Sequence, residues 1–221
     1  MENEIIYENP DFLICVKQPG IRSEAKGLPA ILCAQYHYPS LYPVHRLDQG
    51  TGGLILLAKS SVAAGSMTEL FSDGKVYKEY LAVIQADTPG LSGTFRDLLF
   101  HDTKTNKTYV VNRRRKGVKE ASCTWERLAS AQVSGLPFHL VRIFLHTGRT
   151  HQIRIQFASR KMPLYGDARY GSKIKAGFPA LWASGLSFPD PSGSGITLSF
   201  HSAPPQEAPW DLFRSDIMVS P

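Results

Sequence analysis

The sequence predicts an α+β fold. Segments of strand length outnumber segments of helical period. The two kinds are interspersed without the βαβ regularity of a doubly wound sheet. The chain has 221 residues, 43% hydrophobic and 20% charged, enough for one domain with a substantial core or for two small lobes. No internal repeat or low-complexity tract interrupts it.

Residues 4–9 and 11–17 read as short strands around Asn9-Pro10-Asp11, a turn signal, and Lys17-Gln18-Pro19-Gly20 ends the second. Residues 28–37 read as a short helix. Gly53 to Ala58 is a continuous apolar run closed by Lys59-Ser60-Ser61, which favours a buried strand over a helix. Ser61 is placed to cap a helix from Val62 to about Ser72, and Asp73-Gly74 stops it. Val76 to Ile84 reads as a strand with Lys78 and Tyr80 on one face. Residues 107–112, 119–129 and 137–146 alternate as three further strands. A helix is expected from Thr150 to about Arg160, although Ile153, Ile155 and Phe157 also fit a strand. Residues 181–188 and 196–200 supply two last strands, followed by a polar, Pro-rich stretch.

The formal net charge of +6 favours an anionic partner such as RNA. The densest cationic segment is Lys104, Lys107, Arg113, Arg114, Arg115, Lys116 and Lys119, expected to be an exposed loop able to meet phosphates. Cys15, Cys33 and Cys123 are odd in number and far apart, so neither a disulfide framework nor a zinc site is expected, and a reducing cytoplasm fits. The N-terminal Met1-Glu2-Asn3-Glu4 lacks the features of a signal peptide, and no run reaches the roughly 20 apolar residues of a membrane helix.

The chemistry concentrates in four places. Asp48 lies in Val44-His45-Arg46-Leu47-Asp48-Gln49-Gly50-Thr51-Gly52-Gly53, between an arginine and a glycine-rich bend. These glycines are expected to let a substrate approach the main chain closely. Arg46 and Asp48, two apart, share a direction in an extended segment. Tyr80 either belongs to the core or stacks on a nucleobase, a contact worth about 1–3 kcal/mol. In His146 to Arg154, Thr150 can cap a helix and turn backbone N–H groups and Arg149 toward one spot, with His151 and Arg154 on one helix face. An arginine there can pair bidentately with Asp48 or with phosphate. In Met162 to Gly171, Asp167 is a second carboxylate, expected to order its loop through side-chain-to-backbone bonds. No HExxH or other metal-ligand spacing appears, nor a P-loop or a Rossmann fingerprint.

Taken together, these clusters resemble the RluA family of pseudouridine synthases. The match covers His45-Arg46-Leu47-Asp48 with Thr51 and Gly53, Lys78 with Tyr80, Thr147 to Arg154, and Pro163 with Gly166-Asp167 and Tyr170-Gly171. Lys17 with Pro19-Gly20-Ile21 is similar to the family's N-terminal lysine-proline-glycine turn. The resemblance implies one catalytic domain over 1–221 with a central mixed, largely antiparallel sheet and an active-site cleft. It implies Asp48 as the catalytic carboxylate, Tyr80 stacked on the target uracil, Arg154 paired with the aspartate, and Arg46 entering the RNA where the base has left. It places His45, Thr51, Arg149 and His151 at the substrate. The expected partner is a ribosomal or transfer RNA stem-loop, with no DNA, no membrane, a monomeric protein, and no basic S4 module before the catalytic domain.

The reaction suits that set. Breaking N1–C1′, turning the uracil and rejoining it through C5 loses no group and adds no water, so no metal or redox cofactor is expected. Asp48 must be ionised, either to add at C1′ or to take the 2′ proton. A hydrolytic N-glycosidase would want a second carboxylate, here Asp167, and a placed water. A non-catalytic RNA-binding factor on the same fold is the alternative. Three departures stand out: Gly52 where the family commonly has serine, Trp182-Ala183 where a His-Ala pair is usual, and Gln18 for a common proline.

Overall fold

The computed structural model describes residues 3–87 and 90–218; Met1 and Glu2 of the acidic N-terminal stretch lie outside them. The strands are β1 (Ile5–Glu8), β2 (Phe12–Lys17), β3 (Tyr42–Pro43), β4 (Gly52–Ala58), β5 (Tyr77–Gln85), β6 (Ser92–Asp102), β7 (Lys107–Val111), β8 (Val118–Val133), β9 (Leu136–Leu145), β10 (Leu181–Pro189) and β11 (Thr197–His201). The helices are α1 (Leu28–Tyr36), α2 (Ser61–Ser72), α3 (Gln152–Ala158) and α4 (Arg214–Met218), with 3-10 turns at Ala168–Tyr170 and Trp210–Phe213. Contacts divide the chain into two compact units: Met1–Lys78 with Trp182–Pro204, and Glu79–Leu181 with Pro205–Pro221.

In the first unit, β1 and β2 form an antiparallel hairpin. Its turn is set by Asn9, whose Oδ1 accepts the N–H groups of Asp11 at 3.0 Å and Phe12 at 2.8 Å. Every residue of β2 and of β4 is buried, as their continuous apolar runs require of strands covered on both faces. They pair antiparallel from Phe12 with Ala58 to Lys17 with Gly53. β3 pairs with β4 at Tyr42 and Pro43. β10 pairs parallel with β4 through Trp182–Gly52 and Ala183–Gly53, and antiparallel with β11. α2 packs on β4 with Ala63 and Met67 buried. Its cap is Ser60, not Ser61: Ser60 is extended, and its hydroxyl accepts the Ala63 N–H at 3.1 Å. Adjacent serines offer the same chemistry, so composition did not choose between them.

The second unit is antiparallel throughout, in the order β5-β9-β8-β6-β7. β8 and β9 run past their expected ends into a tight hairpin, where Ser134 and Gly135 both take left-handed conformations (φ 52° and 77°) that suit a two-residue turn. β6 was not anticipated. Its inward positions are Phe95, Asp97 and Leu99, and the carboxylate breaks the apolar alternation. Asp97 is tolerated there because Gln156 Nε2 donates to it at 2.8 Å and Arg160 Nη2 at 3.0 Å. α3 settles the ambiguity at 150–160 as helical, burying Ile153 and Phe157. Phe157, Phe95 and Trp125 form an aromatic core with centroids 5.0–5.7 Å apart. The Pro-rich tail is also more ordered than expected, since Trp210 and Phe213 are buried.

The fold is thus α+β with a mixed, largely antiparallel pattern of pairing, in which β4 and β10 run parallel.

Candidate active site

Asp48 sits in the first unit at the start of a tight turn closed by Thr51 N–H donating to the Asp48 carbonyl at 2.9 Å. Its chain neighbours are pinned on both sides. The N–H and C=O of buried Leu47 both bond to the Ser23 hydroxyl, at 3.1 and 2.9 Å. Gln49 exchanges bonds with Gly20: the Gly20 N–H donates to the Gln49 carbonyl at 2.7 Å, and Gln49 Nε2 donates back at 2.9 Å. Asp48 itself is half-buried.

Beneath this turn lies Lys17, which sequence reasoning left out of the candidate set although its Lys-Gln-Pro-Gly signal was visible. Its side chain is fully buried at the end of β2. Its ammonium donates to the carbonyls of Ile21 at 2.8 Å, Gln18 at 3.2 Å and Gln49 at 3.3 Å. Burial pulls its pKa down to about 8, opposed by the charges of Asp48 and Glu24. The cation therefore braces the turn from inside and sits in the field of the carboxylate.

His45 faces the fold. Its Nε2 accepts the Leu56 N–H at 2.9 Å, and its ring stacks on Phe71 with centroids 4.5 Å apart. Burial, helped by the Lys78 charge, pulls its pKa down to about 3, so it is a neutral acceptor bonded to β4. Arg46 points outward, 64% exposed, and meets Glu24 at 3.2 Å. Thr51 is buried, and its hydroxyl finds no hydrogen-bond partner among the described residues.

The expectation that Gly52 and Gly53 open the main chain to substrate is corrected by β10. Gly53 has φ +108°, and a Cβ there would lie 2.3 Å from the Ala183 carbonyl oxygen. A Cβ on Gly52 would lie 2.3 Å from Trp182 Cζ3. The protein's own strand fills the space that these glycines leave.

Tyr80 and the Thr147–Arg154 cluster belong to the second unit. Tyr80 is buried on β5 opposite Ile143. The helix expected from Thr150 begins instead at Gln152, because His151 adopts a left-handed conformation (φ 55°) and makes no side-chain cap bond. Gln152 organises the approach: its Oε1 accepts from the Thr147 hydroxyl at 2.7 Å and the Arg149 N–H at 3.0 Å, while its Nε2 donates to Ser122 O at 3.1 Å. The Arg149 side chain is laid along β8, its Nε donating to Glu120 O at 2.9 Å. His151 is buried with Nδ1 2.8 Å from the Tyr170 hydroxyl.

Arg154 makes a bidentate pair with Asp167: Nε to Oδ2 at 2.7 Å and Nη2 to Oδ1 at 2.8 Å. Both side chains are nearly inaccessible, at 9% and 2%. Two planar groups meeting in parallel bonds hold the guanidinium in one plane. This corrects the reading of Asp167: its carboxylate orients an arginine, whereas backbone bonds of Asp167 N–H to Leu164 O and of Tyr170 and Ser172 N–H to Asp167 O order the loop. A carboxylate so engaged is no candidate for activating a water.

Residues 5–159 match the family model of RNA pseudouridylate synthase. This chain belongs to that family. It is 31% identical over 183 residues to an uncharacterized RNA pseudouridine synthase of Haemophilus influenzae, covering 79% of this chain and 76% of that one. It is 30% identical over 187 residues to tRNA pseudouridine synthase C of Pasteurella multocida, covering 77% and 75%. With ribosomal large subunit pseudouridine synthase D of Buchnera aphidicola subsp. Baizongia pistaciae it shares 30% identity over 77% of its own length but only 55% of the relative's, and with YlyB of Bacillus subtilis 31% over 52% of the relative. The chain thus spans about half the length of those two. Human RNA pseudouridylate synthase domain containing 1 superposes with a TM-score of 0.76 at 21% identity, over 100% of this chain and 96% of that one. The domain containing 4 protein gives 0.73 at 20%, over 91% and 88%. These two show the fold of the synthase family, whose members are isomerases.

Proposed function

We propose that this chain isomerises one or more uridines of a structured RNA, a ribosomal or transfer RNA stem-loop, with Asp48 as the catalytic carboxylate. The observation that carries this reading is the construction of the Asp48 turn. A half-buried carboxylate is held by backbone pinned on both sides, above a buried ammonium that bonds to the Gln49 carbonyl of the same turn and feels the carboxylate's charge. A capping aspartate would need none of this.

In the proposed reaction the N1–C1′ bond breaks, the uracil turns, C5 bonds to C1′, and the C5 proton is lost as N1 regains one. Asp48 either adds at C1′ or takes the 2′ proton. Tyr80 offers the ring on which the uracil stacks, and Arg154 the counter-ion of Asp48. Arg46, exposed at the surface, fills the gap left by the flipped base and offsets part of the few kcal/mol of unstacking. His45, Thr51, Arg149 and His151 complete the substrate contacts, His45 and His151 through the backbone and side chains that they hold. The relatives named for transfer and ribosomal RNA support this substrate class. The protein acts as a monomer in the cytoplasm, where its three free cysteines stay reduced.

The test incubates the protein with total RNA from a strain lacking the gene and maps pseudouridine. Wild type is expected to restore specific sites and Asp48→Asn none, because the amide is isosteric but uncharged. Activity surviving Asp48→Ala would sink the assignment. Release of free uracil would mark an N-glycosidase instead.

A further inference from the structure

Tyr170 joins three parts of the second unit. Its hydroxyl accepts the N–H of Thr108 at 2.8 Å. Thr108 lies on β7, the edge strand of this unit's sheet, so that N–H has no strand beyond it to bond. The same hydroxyl is 2.8 Å from His151 Nδ1. Burial raises the pKa of the phenol, which therefore keeps its proton and, already accepting from Thr108, turns it toward Nδ1. The Tyr170 ring lies under Arg154, with the guanidinium carbon 5.0 Å from its centroid, and Lys107 Nζ is 5.9 Å from the same ring.

Thr108 adds a second tie. Its hydroxyl donates to Thr150 O at 2.8 Å and so accepts from His101 Nδ1 at 3.0 Å. Through one residue, β7 is bonded both to Tyr170 and to the segment that leads into α3. The turn between β6 and β7 carries Lys104, β7 opens on Lys107, and Arg113 to Lys116 follow β7. Arg154 stands at the other end of these contacts, its Nε and Nη2 edge held by Asp167.

We propose that Tyr170 is a positioning residue that holds Arg154 in place and ties the basic β6–β7 hairpin to it, so that phosphate contacts along the hairpin and the chemistry that Arg154 supports are coupled. This rests on the function proposed above for Arg154 and for the basic segment. The two halves of the side chain act on different partners, since the ring supports the guanidinium and the hydroxyl holds the hairpin.

Tyr170→Phe and Tyr170→Leu separate them. With total RNA from a strain lacking the gene, Phe is expected to leave the rate at saturating RNA within about twofold and to lower the rate at limiting RNA about fivefold. Leu is expected to lower the saturating rate as well, by about tenfold, because a loosened guanidinium is misplaced. Hydrogen exchange at the Thr108 amide must quicken in both variants. A Phe variant that loses both rates by one factor, or a Leu variant no slower than Phe at saturation, overturns the proposal. Should wild type form no pseudouridine at all, the reading of the activity fails separately. The positioning role is then decided by the Arg154 Nε–H resonance, which Leu must move and Phe must not, together with the Thr108 exchange. Failure of either overturns it.

Discussion

Gly52 and Trp182 compete for one volume: a Cβ on Gly52 would lie 2.3 Å from Trp182 Cζ3. Two departures from the family pattern, 130 positions apart in the chain, are therefore one feature. The Trp182 ring is buried and anchored by its Nε1, which donates to Ser202 O at 3.0 Å, and Pro19 Cδ stands 3.0 Å from the same Cβ position, so a side chain at 52 is crowded by both residues.

Restoring the family's serine at 52 alone should therefore destabilise the protein by about 3 kcal/mol through overpacking. Trp182→His in the same chain should recover at least half of that, read as a shift of the urea midpoint at constant slope. Additive effects would show that the two positions do not share space.

Asp48 and Asp167 should respond oppositely to loss of charge. Asp167→Asn removes the bidentate partner of the buried Arg154 guanidinium and is expected to cost about 3–5 kcal/mol of stability. Asp48→Asn should abolish turnover and cost less stability than Asp167→Asn. Denaturant titration of both variants beside the pseudouridine assay checks this, and equal stability losses would contradict it.

His45 should make the protein acid-labile. Its folded pKa is about 3 against an ordinary 6.5, so between these values the unfolded chain binds a proton that the folded chain refuses. Stability then falls as pH drops from 6.5 toward 3. His45→Gln, which keeps an acceptor for Leu56 N–H, should flatten that limb when urea midpoints at pH 7 and 4.5 are compared.

Lys17 works at the alkaline end. Its folded pKa of about 8 lies below the ordinary 10.5, so the unfolded chain holds more protons in that window and stability rises with pH through it. The stability of wild type relative to Lys17→Met should increase from pH 8 to 10.5. An unchanged difference would mean that the ammonium is not confined as described.

Cations of the basic segment should differ in their contribution to RNA binding. Arg114 is already paired with Glu120, and Arg115 stacks on Phe100 at 4.7 Å. Arg113→Ala should lower the slope of log affinity against log salt by about 1, and Arg114→Ala by less. Titration of total RNA at several salt concentrations distinguishes them, and an unchanged slope for Arg113→Ala places that residue away from RNA.

Much of the fold was legible because the buried strands announce themselves. β2 and β4 are unbroken apolar runs, and β5, β10 and β11 end within a residue or two of their expected limits. β6 was hidden by Asp97, a carboxylate on an inward position whose partners come from α3 and the residues just after it, about 60 positions later. The start of α3 was misplaced because Thr150 looks like a cap, whereas its carbonyl is spent on Thr108 and the helix is entered through a left-handed His151. Of the candidate residues, Asp48 and Arg154 were visible as motifs; Lys17 was passed over because a buried lysine and an exposed one look alike in sequence.

By itself, the sequence determined most of the strands and helices, the family, and the residues from which the chemistry must be drawn, since these follow from local period and from motif spacing. Only the tertiary structure decided what each of those residues touches. It turned Asp167 from a loop former into the anchor of Arg154, His45 into an acceptor for β4, and Gly52 into the space beside Trp182. Such pairings depend on which distant segments meet and on the cost of leaving a buried charge or a shared volume unresolved, neither of which is a property of residues close together in the chain.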